Sequence, residues 1–378
     1  MPWFRRMLAV DAAEAEGDPA TALALVEGMP CGPDGRPWWR PQRVRRLRQL
    51  VALGDAVPGW AWGRWVIAQA AQPRPGRDTD AADFAVEIRG GRSTLWGVDP
   101  GDALAKVVDH DWVFRQLILH ERGGLDHFLN RVAGPRLLDL AGDVHAWVGV
   151  PMGAYELVSE RADRIAWRDL GTGAVIDTLN LGGASLMALG EAAIGRVVHA
   201  GEVSLFESPP LCVPPDVAHD VAASPGDWMD ALTRGCREEW GAVLTDLIAK
   251  AHEFDLLFDL STRLRRHLLQ PVDPDLRCDN VGTGGNGADY DVALVLAALA
   301  GELPLMGDDA DAAGAGADAA RPLASLVSAA LLEPDTRAAI EPLLLASDAS
   351  AVSRLADALV PPADVFCRQI RDQLSGAA

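Results

Sequence analysis

Histidines and carboxylates are concentrated between residues 109 and 127. The residues of this segment that could do chemistry are Asp109, His110, Asp111, His120, Glu121, Asp126 and His127. Imidazole and carboxylate groups can ligate a metal ion, and they can also transfer protons in general acid–base catalysis. The segment is therefore where a metal site or a catalytic site is tested first.

Helix geometry limits which of these histidines could share a metal ion. If residues 111–122 form one helix, His110 and His120 lie about 15 Å apart at about 1.5 Å per residue. Each ligand must lie within about 2.1 Å of the ion. His120 and His127 could still meet across the glycine turn at 123–124, and these two are the metal candidates. The helix dipole explains a histidine in the last helical turn equally well, so we predict no metal and no other cofactor.

A basic and aromatic patch lies between Arg36 and Arg48, in the sequence RPWWRPQRVRRLR. Its candidate phosphate-contacting or partner-contacting residues are Arg36, Trp38, Trp39, Arg40, Arg43 and Arg46. Arginine beside aromatic rings can contact phosphate and stack on bases. The alternative is an amphipathic helix whose apolar stripe is buried and whose arginines are mainly solvated. The formal net charge of −20 disfavours nucleic-acid binding, so we favour the amphipathic helix.

The sequence lacks three familiar catalytic motifs. A phosphate-binding P-loop needs Gly-Lys-Ser/Thr, and neither Lys106 nor Lys250 follows a glycine. The run 282–287 matches Gly-x-Gly-x-x-Gly, but it follows a Pro/Asp-rich loop rather than the buried strand that a dinucleotide site requires. The sequence around Ser185 lacks the final glycine of a hydrolase nucleophile elbow.

The stretch from His145 to Val213 differs from the rest of the chain because its pattern is that of β-structure. Short runs of β-branched and aromatic residues alternate with polar residues and are separated by Gly, Asp and Asn turns. Five or six such strands could close into a small barrel. The sequence therefore predicts an α+β protein that is mainly helical, with an embedded small antiparallel β-barrel-like module.

Composition divides the chain into five parts. They are a helical N-terminal domain at 1–142 with a possible hairpin at 84–98, a β-rich barrel-like module at 143–215, a long helix or helix pair at 216–273, a Gly/Asp/Ala-rich linker with one helix at 274–320, and a small helical segment at 321–378. The composition of the linker cannot form a core. We expect its second low-complexity stretch, GDDADAAGAGADAA, to be disordered.

Three parts of this pattern together resemble a group of uncharacterised proteins from high-GC bacteria. They are the Trp-rich helical front, the central DRIAWRDLGTGAVIDTLNLG and the exit IGRVVHAGEVSLFESPPLCVP. The resemblance covers about residues 20–215, and its motifs are structural rather than catalytic. It implies the same domain picture, and it brings neither an activity nor a site residue.

Composition also bounds the location and the function. Five widely spaced cysteines without a Cys-x-x-Cys pair indicate a reducing cytoplasm, and no apolar stretch approaches the roughly 18 residues of a membrane span. Because no catalytic constellation is recognisable, the leading hypothesis is a soluble, non-catalytic binding, scaffold or regulatory protein with a protein partner or self-association. The alternative is an enzyme of unrecognised type with acid/base or metal groups from 109–127. The third is nucleic-acid binding through Arg36–Arg48.

Overall fold

The computed structural model describes residues 2–29, 31, 38–72, 79–88, 107–108, 111–235, 257–258, 287–303, 305 and 323–376. In these ranges the chain is mainly helical and carries a small antiparallel sheet, which confirms the predicted α+β class. None of the described helices is both long and apolar enough to cross a lipid bilayer.

The described part of the chain before the sheet is mainly helical. Its α-helices are α1 (Pro2–Ala15), α2 (Pro19–Glu27), α3 (Pro41–Leu53), α4 (Gly59–Ala70), α5 (Thr79–Ile88), α6 (Trp112–Gln116), α7 (Gly124–Arg131) and α8 (Pro135–Ala141). A π-helical turn, Leu117–Glu121, continues α6. Short 3-10 turns lie at Gly54–Ala56 and Val144–Trp147.

Helices return after the sheet. The described ones are α9 (Pro215–Ala223), α10 (Trp228–Gly235), α11 (Gly287–Ala300), α12 (Ala324–Leu331), α13 (Pro334–Ile340), α14 (Ala349–Ala358) and α15 (Ala363–Gly376). Short 3-10 turns lie at Pro225–Asp227, Glu341–Leu343 and Ala346–Asp348. The predicted long helix or helix pair is represented only by α9 and α10, because residues 236–256 lie outside the described part. The low-complexity stretch after α11 also lies outside it.

In the described residues, seven strands form two separate antiparallel sheets. The strands are β1 (Gly153–Glu160), β2 (Arg164–Asp169), β3 (Val175–Leu179), β4 (Ala192–Gly195), β5 (Val197–Ala200), β6 (Val203–Phe206) and β7 (Leu211–Val213). Five of them pair in the order β3-β2-β1-β4-β7, and β5 and β6 form a two-stranded ribbon. Within residues 153–213, all of which are described, no ladder joins β3 to β7. The barrel-like prediction is thus corrected to an open sheet with a ribbon.

Close packing at the end of β4 fixes where the ribbon lies against the sheet. A Cβ atom on Gly195 would lie 2.8 Å from Cδ1 of Phe206, so only glycine admits the ring there. Phe206 in turn makes edge contacts with Tyr155 and Trp167, at centroid distances of 5.3 and 5.2 Å. The ribbon therefore folds against one face of the sheet instead of extending it.

The apolar side chains form three clusters that stack around the two sheets. The largest joins the N-terminal and C-terminal helices with the ribbon residues Val198 and Leu205. A second lies between the sheet and helices α5, α6, α9 and α10. The third lies on the other face of the sheet and contains Trp167 and Phe206. Residues of the first and last fifty positions thus share one core, which the ribbon contacts through Val198 and Leu205.

The predicted hairpin at 84–98 is wrong over its first strand, because residues 84–88 belong to α5. The alternation of Phe84 to Ile88 fits a strand, but the alanines before it continue a helical period. Buried positions of α5 are Ala81, Ala82, Ala85, Val86 and Ile88, which lie on one side of a helix. The rest of the predicted hairpin, at 89–98, lies outside the described residues.

We predict that Gly63→Ala lowers the free energy of unfolding by about 1–3 kcal/mol, the usual cost of overpacking a core. A Cβ atom on Gly63, in α4, would lie 2.8 Å from Cζ2 of the fully buried Trp147. This overlap should exceed the gain of up to about 1 kcal/mol that alanine brings to a helix. Urea denaturation measures the change.

Gly149→Ala is the matched control, because no atom lies within 4 Å of the added methyl group. Its effect should stay within about 0.5 kcal/mol. A Gly63→Ala protein as stable as this control would show that the contact between α4 and Trp147 is loose.

Candidate functional site

The structure separates the histidines that the sequence groups together. His120 and Glu121 are the last two residues of the π-helical turn, whereas His127 lies half-buried on α7. Asp126 is exposed and its carboxylate accepts a hydrogen bond from Asn130 at 2.8 Å. Asp109 and His110 lie outside the described residues.

The π-helical turn is a departure from the single helix predicted at 111–122. Asp111 fixes the start of α6, since its Oδ1 accepts a hydrogen bond from the N–H of Phe114 at 2.7 Å. At the other end, the N–H of Arg122 donates to the carbonyl of Leu117 at 2.9 Å, five residues back. One extra residue in a turn rotates the later side chains by about 100° relative to an α-helix. Such turns are frequent at functional sites.

Because of this rotation, the side chain of His120 points toward the end of the ribbon. Its Nε2 donates to Oε2 of Glu207 at 2.8 Å. The two side chains are 4% and 0% exposed. Nε2 of Gln116, the last residue of α6, donates to the other oxygen of Glu207 at 2.8 Å and to Oγ of Ser208 at 3.2 Å. Both oxygens of the Glu207 carboxylate are therefore occupied.

Arg196 links the His120–Glu207 pair to the sheet, and through Glu121 it also links the pair to α10. It lies between β4 and β5, and its Nε donates to Oε1 of Gln116 at 3.0 Å. Its two terminal nitrogens donate to the carbonyl of Val150 and to Oε1 of Glu121, the second at 3.0 Å. The same Glu121 oxygen accepts the indole N–H of Trp228 at 3.0 Å. We call this set the His120 network: Gln116, His120, Glu121, Arg196, Glu207, Ser208 and Trp228.

The charges of the His120 network keep Glu207 ionised. Burial alone would raise the pKa of the Glu207 carboxyl. The positive charge that His120 carries when protonated, the hydrogen bonds from His120 and Gln116 and the charge of Arg196 together outweigh burial, and the pKa is lowered. Burial also lowers the pKa of Arg196, while Glu207 and Glu121 oppose that change. A guanidinium stays protonated at neutral pH, so the network holds one fixed positive charge and two carboxylates.

The carboxylate of Glu207 fixes the tautomer of the neutral His120 ring. An ionised carboxylate only accepts hydrogen bonds, so Nε2 must carry the proton. Nδ1 then presents a lone pair, as in a histidine oriented by a carboxylate in an enzyme. Nδ1 is buried, and it has no hydrogen-bond partner among the described residues. No other side-chain nitrogen or oxygen of the buried residues in the His120 network lacks a hydrogen-bond partner among the described residues.

The arrangement gives no support to a metal site at His120 and His127. In the described part of the chain, no three His, Cys, Asp or Glu side chains are grouped closely enough to hold an ion. Nε2 of His120 is bound to Glu207, and this leaves Nδ1 as the ring nitrogen with a lone pair.

The arginine patch is largely engaged inside the protein. Arg43 forms a two-pronged ion pair with the fully buried Glu14 on α1, at 2.8 and 2.7 Å, and contacts Asp11 at 2.5 Å. Its guanidinium also lies over the Trp39 ring, 5.3 Å from the centroid. The indole N–H of Trp39 donates to the carbonyl of Met29 at 2.9 Å. These contacts hold α3 against α1.

Other arginines of α3 also contact neighbouring elements. Arg45 lies 3.7 Å from Glu333, just before α13, and Arg48 pairs with Glu27 of α2 at 3.2 Å. Arg46 and Trp38 are half-buried, and Arg40 is exposed. The expectation that these arginines are mainly solvated is therefore corrected: their side of α3 faces other helices. Arg36 lies outside the described residues.

Sequence reasoning singled out His120 and Glu121 but missed their partners Gln116, Arg196 and Glu207. His120 and Glu207 are 87 residues apart in the sequence, and Glu121 and Arg196 are 75 residues apart. One local signal was present. Arg196 and Glu207 are single charges within the apolar runs AAIGRVV and VSLFES, and a lone charge in a buried strand needs a partner.

We predict that Arg43→Ala lowers the free energy of unfolding by about 3–5 kcal/mol, because it leaves the buried Glu14 carboxylate without its partner. Arg48→Ala is the control, since the Arg48–Glu27 pair is solvent-exposed and should contribute less than about 1 kcal/mol. Chemical denaturation of both variants measures the difference. Equal losses would mean that the Arg43 pair is no more important than a surface contact.

We predict that Glu207→Gln destabilises the fold by about 2 kcal/mol at pH 7, the usual value for hydrogen bonds to a charged group. The folded pKa of Glu207 lies below its unfolded value of about 4.3. The carboxylate therefore stabilises the fold above that pH, and this contribution is lost as the pH falls through the folded pKa. The gap between wild type and variant should shrink in acid.

Glu202→Gln provides the control, because Glu202 is exposed at the turn between β5 and β6. Denaturation curves of the three proteins from pH 3 to pH 7 give the comparison. A gap for Glu207→Gln that stays constant with pH would show that the carboxylate is not held ionised by the network.

Comparisons with known proteins leave the function to be argued from this geometry. No family model matches the chain, and no match was found to a curated protein or to a solved structure.

Proposed function

We propose that this protein is a binding or regulatory protein that takes up a small polar molecule at Nδ1 of His120. The observation that carries the proposal is a single atom. Nδ1 is buried and has no partner among the described residues, while every other polar side-chain atom of the His120 network is either bonded or open to solvent. A buried polar atom without a hydrogen bond costs free energy, and a ligand that donates to it would remove that cost.

The make-up of the network supports a functional role over a purely structural one. Replacing a buried ion-pair network by apolar side chains of similar volume is often neutral or stabilising. The fold has three apolar clusters around this point, so its packing could be completed without charges. A His–Glu pair backed by Gln116 and Arg196 instead holds one imidazole nitrogen in a fixed position.

An acid–base enzyme is the second candidate, and the tautomer of His120 favours it. A carboxylate that orients an imidazole and stabilises its protonated form is the arrangement of a general base. Nucleophilic catalysis through Ser208 has no such support, because Oγ of Ser208 is bonded to Gln116 rather than to His120. In this candidate, Nδ1 would accept a proton from a bound substrate.

The proposals about cellular location and macromolecular partners rest on the composition of the chain. A cytoplasmic protein that contacts a protein partner or a second copy of itself agrees with the strong negative charge and the spaced cysteines. Nucleic-acid binding through Arg36–Arg48 loses weight because the Arg43 fork is engaged by Glu14 and Asp11.

His120→Gln tests the proposed site. The amide nitrogen of glutamine is as far along the side chain as Nε2 of histidine, so it can still donate to Glu207, but nothing replaces Nδ1. Wild type and variant are dialysed against a small-molecule extract of cells, and the retained compounds are identified by mass spectrometry. At least one compound retained by the wild type should be lost from the variant.

His127→Gln is the matched control and should retain the same compounds as the wild type. Following the extract over time separates the two candidates: a binding protein leaves its ligand unchanged, whereas an enzyme consumes it in a His120-dependent way. If all three proteins retain the same compounds and consume none, His120 has no role in ligand binding.

A further inference from the structure

We infer that the molecule taken up at His120 is a protonated amine, which donates an N–H group to Nδ1. This inference rests on the proposed function, because it names the ligand class of that same site. Its basis is the set of hydrogen bonds that the His120 network can still make, together with the network's charge balance and the side chains at its exposed end.

The first step concerns hydrogen-bond direction. Glu207 accepts the Nε2 proton of His120, so the neutral ring offers only a lone pair at Nδ1. A ligand that meets this atom must therefore donate a hydrogen bond. Carboxylates, ionised phosphates and ketones are acceptors without a donor, and they do not complete the network.

The second step concerns charge. The His120 network contains the two carboxylates of Glu121 and Glu207 and the single guanidinium of Arg196, so it carries one excess negative charge while the His120 ring is neutral. Glu207 is fully buried, where an uncompensated charge is costly, whereas Glu121 is partly exposed and solvent screens part of its charge. A cationic donor removes this excess, whereas an anion doubles it.

The third step concerns Arg196, whose guanidinium could otherwise hold an anion. Each of its three nitrogens already donates, to Gln116, to the carbonyl of Val150 and to Glu121. The side chain is also only 6% exposed, and both arms of the fork that usually recognises carboxylate or phosphate are bonded to the protein. Arg196 is therefore committed mainly to the protein's own acceptor groups, which makes it a poor anchor for an anion.

The fourth step concerns approach from solvent. Glu121 is 34% exposed, while His120, Arg196 and Glu207 are almost fully buried. Its Oε1 accepts both Arg196 and the indole of Trp228, and Trp228 packs edge to face with Trp112 at 5.9 Å. Because both rings are buried, the partly exposed Glu121 carboxylate is the group that attracts an ammonium ion from solvent, through its charge.

Methylammonium chloride is the probe that tests this class, and tetramethylammonium chloride is its control. Both carry one positive charge, but only methylammonium has N–H groups. The full-length protein with ¹⁵N-labelled histidines is titrated with each salt at constant ionic strength, and the ring-nitrogen signals are followed by NMR. We expect methylammonium to shift the His120 signals until they saturate, and tetramethylammonium to leave them unchanged.

Two variants define the site. Glu121→Gln removes a negative charge and should weaken methylammonium binding about tenfold, the effect of losing one charged interaction of about 1.4 kcal/mol. Glu202→Gln removes an exposed charge outside the network and should leave the affinity unchanged. An equal effect of both variants would show that methylammonium responds to the overall charge of the protein, and would overturn the inference.

Titration with sodium acetate and with acetamide separates failure of this inference from failure of the proposed function. If acetate or acetamide saturates the His120 signals and methylammonium does not, the amine class is wrong and the binding site stands. If none of the probes shifts them, the amine class is overturned. If, in addition, no extract compound depends on His120, the proposed function fails as well.

Discussion

The structure depends on the buried guanidinium of Arg196, at the point where the chain leaves the five-stranded sheet and enters the ribbon. One side chain bonds to Gln116 at the end of α6, to the carbonyl of Val150 before β1 and to Glu121 in the π-helical turn. The Arg196 side chain therefore joins α6, the π-helical turn, the sheet and the ribbon. Since a buried guanidinium needs compensating charge, replacing one of the acids around it should destabilise the fold.

The apolar clusters explain why a charged centre is tolerated here. The ribbon packs on the helical core through Val198 and Leu205 and against the sheet through Phe206, and helices α5, α6, α9 and α10 cover the opposite face of the sheet. These clusters supply the hydrophobic stabilisation. The hydrogen bonds of the His120 network at their junction are directional, unlike apolar contacts. They therefore set the tautomer of His120 and the position of Nδ1.

Local sequence patterns were enough to predict the class of fold. The arrangement of the strands and the partners of His120 depend on long-range contacts, which local patterns do not contain. Alternation along residues 145–213 located the strands. The strand order and the packing of Gly195 against Phe206, which positions the ribbon, depend on tertiary contacts that no local pattern contains. Residues 84–88 fit a strand and a helix equally well, and only the buried alanines before them decide. His120 was singled out as a candidate, yet its role depends on Glu207, 87 residues away, and on a π turn that the sequence does not signal.

The protonation of the His120 ring tests the central claim most directly. In alkaline buffer, where the imidazoles are neutral, two-bond ¹H–¹⁵N correlations distinguish a protonated nitrogen from a bare one in each histidine ring. The structure requires His120 to be protonated at Nε2 and bare at Nδ1, because Glu207 holds it so, while an exposed histidine such as His145 exchanges between both forms. A His120 ring protonated at Nδ1, or averaged like His145, would contradict the site and the function proposed for it.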